Sequence, residues 1–272
     1  MEGLHILSQP FMQRALVGVL IIAINAAVAG TFTVFRNVSF LVAGASHSAL
    51  AGAALFILLI SFNEFFSYIW LGAILFAIAT AVIAGYAPKE ETNTAIGISF
   101  AMSMSLAILF ISMIKEYAAK VWSLLIGDIF LLTYEDLYLM AFVTLSTLIL
   151  VVLFYKAFLF ISFDWEGATA FGLNTRGYNY LLLSIISLSS VMLLKGVGAI
   201  LVFAMLVAPA AAANELAPSI RDVFIYAFII ALLSGFGGIA FSFYFEVSAG
   251  AIASLLATIT YFFTLLRKGL GG

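Results

Sequence analysis

The sequence predicts an all-α fold: a polytopic membrane protein with eight or nine transmembrane helices. Three observations lead there. Hydrophobic residues make up 65 % of the chain and charged residues 9 %, against roughly 25 % charged in soluble domains. Cutting the chain at every charged residue leaves nine charge-free runs of at least 18 residues: 15–35, 37–63, 65–88, 92–114, 137–155, 177–194, 196–214, 223–245 and 247–266. Each is long enough to cross a bilayer as a helix. No linker, soluble domain or convincing internal repeat interrupts them, so residues 1–272 read as a single transmembrane domain.

The N-terminal MEGLHILSQPFMQR lacks a basic stretch followed by an apolar core, so it does not read as a cleavable signal. His5 in this tail reads as solvated or interfacial. The first run, 15–35, carries one amide, Asn25, whose simplest role is a hydrogen bond between helices. The second run holds His47 within AGASHSALAG, and no charged residue lies between Arg36 and Glu64. A helical rise of ~1.5 Å per residue then puts the imidazole roughly midway through a bilayer. An ionisable group at that depth is costly and marks a functional site by default. Neutral imidazole is also a common ligand for borderline metals. The bland alternative is a histidine that only fixes helix packing.

Between runs three and four lies the short loop APKEETN, where Pro88 ends a helix. Met102 and Met104 in run four are two residues apart, share no helix face, and read as packing rather than as soft ligands. Segment 116–136 mixes acids with apolar residues in pieces too short to span. It reads as an external amphipathic stretch. With the corner around Glu246, its Asp128, Glu135 and Asp136 would form an acidic mouth, the alternative being a solvated face.

FDWEGATAFGLNTRG, residues 163–177, reads as a short helix between two spans. Asp164 is a plausible cap, and Gly172 and Asn174 are plausible ends. Its exposed aromatics, Trp165 and Phe171, suit a docking element better than a connector, although an interfacial helix would look similar. Runs six and seven meet at the hinge Lys195-Gly196-Val197-Gly198, and the two runs could instead form one broken helix, giving eight spans. Pro209 in run seven is expected to kink or stop that helix.

Counting positive charges in alternate loops orients the chain. With an external N-terminus and nine crossings, Arg36, Lys89, Lys156, Arg176, Arg221, Arg267 and Lys268 are cytoplasmic, against Arg14, Lys115, Lys120 and Lys195 outside. The C-terminus is then cytoplasmic. A net charge of −2 leaves no nucleic-acid footprint. The absence of cysteine excludes disulfides and thiol chemistry, and no Walker A, Rossmann or HExxH pattern occurs. His47 is a polar residue on a possible pathway, yet the carboxylates that would energise ion-coupled transport are missing from the runs. That combination points to a permease driven by a separate ATPase.

The stretch MQRALVGVLIIAINAAVAGTFTVFRNVSFLVAGASHSALAG resembles the opening of the ABC-type zinc/manganese/iron uptake permeases. ETNTAIGISFAMSMSLAILF, LLIGDIFLLTYEDL, SFDWEGATAFGL, GVGAILVFAMLVAPAAAA and EVSAGAIASLLA follow in that family's order, so the likeness covers about residues 11–266. It implies the non-enzymatic membrane subunit of an ATP-driven importer of divalent transition metals (zinc, manganese or iron) in a prokaryotic cell (inner) membrane. Its implied partners are a second copy of the chain, an ATP-binding subunit that uses the ATP, an extracytoplasmic metal-binding protein and the surrounding lipid. No cofactor is implied beyond the transported ion.

Asp164, Trp165, Glu166, Phe171 and Gly172 fall in the family's cytoplasmic coupling segment, about 163–176. The family's pore motif reads Gly-Asp-x-x-Ser-His with a later Leu-Pro-Gly. Ser46 and His47 match it as metal-pathway residues, whereas Ala43 stands at the aspartate position and Ala51 at the proline. Losing a carboxylate one turn from the histidine removes an anionic ligand, which raises the weight of a different solute, such as a metal chelate. An intramembrane enzyme would need a second catalytic group near His47, and none is evident.

Overall fold

The computed structural model describes residues 8–60, 67–114 and 126–270, with side chains to 268. His5, Glu64, Lys115 and residues 116–125 of the 116–136 segment, Lys120 among them, lie outside the described residues. Eleven helices follow in order. Helix α1 is Pro10–Phe35, α2 Phe40–Leu59, α3 Ile69–Tyr86, α4 Thr92–Met113 and α5 Tyr134–Leu153. The short α6, Tyr155–Phe163, and α7, Trp165–Ala170, precede α8, Thr175–Val197. Last come α9, Val202–Leu216, α10, Ile220–Phe245, and α11, Ala249–Leu270.

Eight described helices are long and apolar enough to cross a membrane, and run seven is the exception. It forms α9, whose 15 residues extend only ~22 Å at the helical rise. Helix α9 still returns to the end from which α8 departed. Glu215 near its end pairs with Lys268 at 2.6 Å, and Phe224 at the start of α10 packs 6.1 Å from Phe35. The two runs are therefore separate helices joined by a turn at 198–201, not one broken helix. Pro209 neither stops nor splits α9.

Burial follows side-chain size. Helix α2 is built from small residues and sits at the centre, with 83 % of its most apolar window buried, against 22 % for α4 and 28 % for α11. A β-carbon on Gly52 would lie 2.1 Å from the carbonyl oxygen of Gly72, so α2 and α3 touch backbone to backbone. Such close approach is the small-residue mode of packing in membranes, where helices gain nothing by leaving lipid for each other except contact. Leu-, Ile- and Phe-rich α4, α5 and α11 turn their large side chains outward.

Helix ends follow local chemistry. The Thr133 side chain accepts from the Asp136 backbone N–H, while the Asp136 carboxylate accepts from the Thr133 N–H at 2.8 Å. This capping box draws Glu135 and Asp136 into the first turn of α5, where acids are favoured. The amphipathic stretch expected over 116–136 therefore ends earlier, in a 3₁₀ turn at Ile129–Leu131. Asp164 caps α7 as expected, accepting from Gly167 N–H at 2.8 Å. Gly172, at φ 79°, terminates it in the left-handed region that favours glycine. Asn174 belongs to the next helix instead: it caps α8 by accepting from Gly177 N–H at 3.0 Å.

Helix α1 departs from regular geometry in a way no run boundary signals. Its middle, Ala26–Gly30, is a π turn. Just before it, Asn25 Nδ2 donates to Thr144 Oγ1 of α5 at 2.7 Å, the interhelical bond expected for this amide.

Candidate functional site

His47 lies seven residues after the start of α2, ~11 Å along its axis and ~18 Å from its last residue. It is thus about a third of the way along the helix, on the Arg36 side. The ring is partly buried. Its Nδ1 sits 2.9 Å from the carbonyl oxygen of Ala43, one turn earlier. A carbonyl only accepts, so in the neutral ring Nδ1 carries the proton and the lone pair is on Nε2. The Phe100 ring of α4 packs edge-on against the imidazole at 4.8 Å and limits its rotation.

Ser46 is fully buried beside it. Its Oγ is 3.0 Å from Ala43 O and 3.4 Å from Ala199 O. The second contact brings the turn between α8 and α9 against α2 about a third of the way along it. Non-helical backbone at membrane depth occurs where protein buries it or where it lines a cavity. Ala199 is buried, whereas Ile200 beside it is exposed.

On the opposite side of α2, Ser48 Oγ lies 2.5 Å from both Thr80 Oγ1 of α3 and Ser103 Oγ of α4. This buried hydroxyl cluster escapes sequence reasoning because isolated serines and threonines are common in membrane helices. Only their shared depth, set by packing, makes them a group.

The four acids proposed for an external mouth do not converge. Asp136 is buried and bonded to Lys195 Nζ at 2.5 Å, so its charge is already paired. Asp128 accepts from Phe130 N–H at 2.9 Å and closes the 3₁₀ turn. Glu135 is exposed in the first turn of α5, and Glu246 is exposed in the turn between α10 and α11. Among the described residues no three His, Asp or Glu side chains converge to hold a metal ion. Among the described residues, the hydrogen-bond partners of His47 and Ser46 are backbone carbonyls and each other, with no carboxylate among them.

The coupling-segment residues occupy the opposite end of the bundle. Asp164, Glu166, Phe171 and Gly172 are exposed, and Phe171 is 84 % exposed. Trp165 is not an outward aromatic: its ring lies 5.2 Å from the Arg36 guanidinium. Arg36 also donates to Ile161 O at 2.9 Å and to Asn179 Oδ1 at 2.7 Å. The foot of α1 is thereby tied to α6, α7 and α8. Burial lowers the pKa of this guanidinium from its ordinary value.

Residues 8–268 of the chain match the ABC 3 transport family. The chain belongs to that family. Among members of similar sequence, the manganese transport system membrane protein MntC of Listeria monocytogenes is 33 % identical over 269 residues, covering 98 % of this chain and 93 % of that protein. The manganese import system permease protein ScaB of Streptococcus gordonii is 32 % identical over 264 residues, covering 96 % and 91 %. The structure of PsaBC from Streptococcus pneumoniae in complex with Fab matches with a TM-score of 0.81 at 29 % identity, over 94 % of this chain and 91 % of that one. A putative metal-chelate type ABC transporter in an inward-facing conformation shares the fold, with a TM-score of 0.72 at 15 % identity over 94 % and 87 %.

Proposed function

We propose that this chain is the permease subunit of an ATP-driven importer of divalent transition metals, with manganese the leading candidate. The observation that carries the reading is full-length membership of the ABC 3 family, whose similar members include manganese transport and import permeases. A protein with no nucleotide-binding motif needs an ATP-binding subunit to drive it, and the exposed Asp164–Gly172 face is suited to dock one. Arg36 bonded beneath that face links a docked motor to α1 and α8.

The partners follow from the same reading: a second copy of this chain, an ATP-binding subunit on each half, and an extracytoplasmic metal-binding protein. The cation-rich end carrying Arg36, Lys89 and Arg176 is the cytoplasmic one by the positive-inside rule, leaving the N-terminus outside. The ion passes His47 near the dimer axis, with Nε2 as its transient ligand and Ser46 in the adjoining wall. A single neutral nitrogen donor binds weakly compared with a nitrogen–carboxylate set, which suits passage more than storage.

Because Ala43 supplies no carboxylate, a second reading is a permease of the same type for a metal chelate. One assay separates the two. The purified permease–ATPase complex, reconstituted in vesicles with the binding protein outside, should accumulate radioactive manganese only when ATP is present. ATP-dependent uptake of chelated but not free metal would favour the second reading. Uptake of neither would sink both.

A further inference from the structure

At the foot of the bundle, a cavity of about 610 Å³ opens between the α3–α4 loop and the start of α8. Its walls carry three cations, Arg36, Lys89 and Arg176, with the polar groups of Asn179, Thr92 and Tyr180. Among the described residues no carboxylate lines it. Glu90 and Glu91 follow Lys89 on the same loop, and Glu166 follows Trp165, but all three are exposed and outside the walls. Neither Lys89 nor Arg176 has an ion-pair partner among the described residues, whose two salt bridges are Lys195–Asp136 and Lys268–Glu215.

Arg36 is held in place at this cavity by two hydrogen bonds and the Trp165 ring, yet its Nε is buried with no partner. Three cations around one space, one of them desolvated, repel each other unless an anion joins them. The cavity also borders the lipid-facing flank of the protein. Tyr86 on its rim is 84 % exposed, and Val82 and Ile83, one turn up α3, are 47 % and 41 % exposed. An aromatic at the rim with an apolar face above it is the pattern of a bilayer interface.

We propose that this cavity binds a phosphate group, presented by the headgroup of an anionic phospholipid whose acyl chains lie over Val82 and Ile83. The phosphate would sit among Arg36, Lys89 and Arg176, with guanidinium forks suited to its oxygens. Basic pockets between membrane helices are where anionic headgroups bind. Since Arg36 and Trp165 belong both to this cavity and to the elbow around α7, the bound lipid steadies that elbow.

The test is lipid retention by native mass spectrometry of the permease–ATPase complex, exchanged into phosphatidylglycerol or phosphatidylcholine. The wild-type complex should retain phosphatidylglycerol selectively. Lys89→Gln/Arg176→Gln should lower that retention about tenfold, and Arg176→Lys, which keeps the charge but loses the guanidinium fork, should lower it less. Size-exclusion elution checks that the double variant assembles; if it does not, Lys89→Gln on the exposed loop carries the same comparison, with a smaller loss expected. Addition of inorganic phosphate distinguishes the sources: saturable phosphate binding that is lost in the same variant, without any lipid preference, assigns the site to free phosphate and overturns the lipid. Equal retention by the wild type and variants overturns the site itself.

Discussion

The imidazole Nδ1 of His47 lies 2.9 Å from the backbone carbonyl oxygen of Ala43. Ala43 thus acts on the histidine through its main chain. That carbonyl selects the Nδ1–H tautomer and leaves Nε2 as the nitrogen able to meet a cation. What it cannot do is supply a negative charge.

His47→Ala should lower ATP-driven manganese uptake by on the order of tenfold or more. The substitution leaves helix α2 intact, since alanine is its dominant residue type, so assembly with the ATPase should persist. Uptake is measured in reconstituted vesicles, and assembly by copurification. Undiminished transport would reduce this histidine to a packing residue.

Ala43→Asp should have the opposite effect on binding. It adds an anionic oxygen one turn from the imidazole, at a position whose side chain is 8 % exposed beside the partly open His47 face. An oxygen–nitrogen pair suits manganese better than nitrogen alone. Calorimetry on the purified complex should register tighter manganese binding. Transport need not rise with it, because a tighter site also releases more slowly.

Phe171, at 84 %, is the most exposed aromatic of the elbow, and Trp165 is committed to Arg36. A cysteine at Phe171 should therefore crosslink to a cysteine in the docking groove of the ATP-binding subunit, with a yield that changes with nucleotide. A cysteine at Trp165 should crosslink poorly and destabilise the elbow. Labelling of Phe171→Cys by an impermeant reagent added outside whole cells would reverse the proposed orientation.

Lys195 and Asp136 join α8 to α5 at the other end, with side-chain exposures of 32 % and 8 %. Asp136→Asn leaves the ammonium with no charge partner. The partial exposure of Lys195 reduces the cost below that of a fully buried pair, to about 1–2 kcal/mol. Thermal unfolding of the purified protein should fall accordingly, and Asp136→Asn/Lys195→Met should recover most of the loss. Equal melting of all three proteins would show that the pair contributes nothing to stability.

The sequence by itself determined the all-α class and the eight long apolar helices, and left open whether run seven crosses. These are properties of single stretches: a run must be long and apolar enough for hydrocarbon, and each charge must stop it. The Asp164 cap and the bond expected of Asn25 were legible for the same reason, since few partners can satisfy such groups inside a membrane. Tertiary structure alone decided the rest. It turned Trp165 inward onto Arg36, neutralised Asp136 with Lys195, joined Ser48, Thr80 and Ser103 in one hydroxyl cluster, and gathered three cations around one cavity. Each of these pairs residues distant in the chain, and their meeting depends on how closely small-residue helices such as α2 and α3 approach. Helical period and charge spacing record which face a residue occupies; they carry no information on what packs against that face.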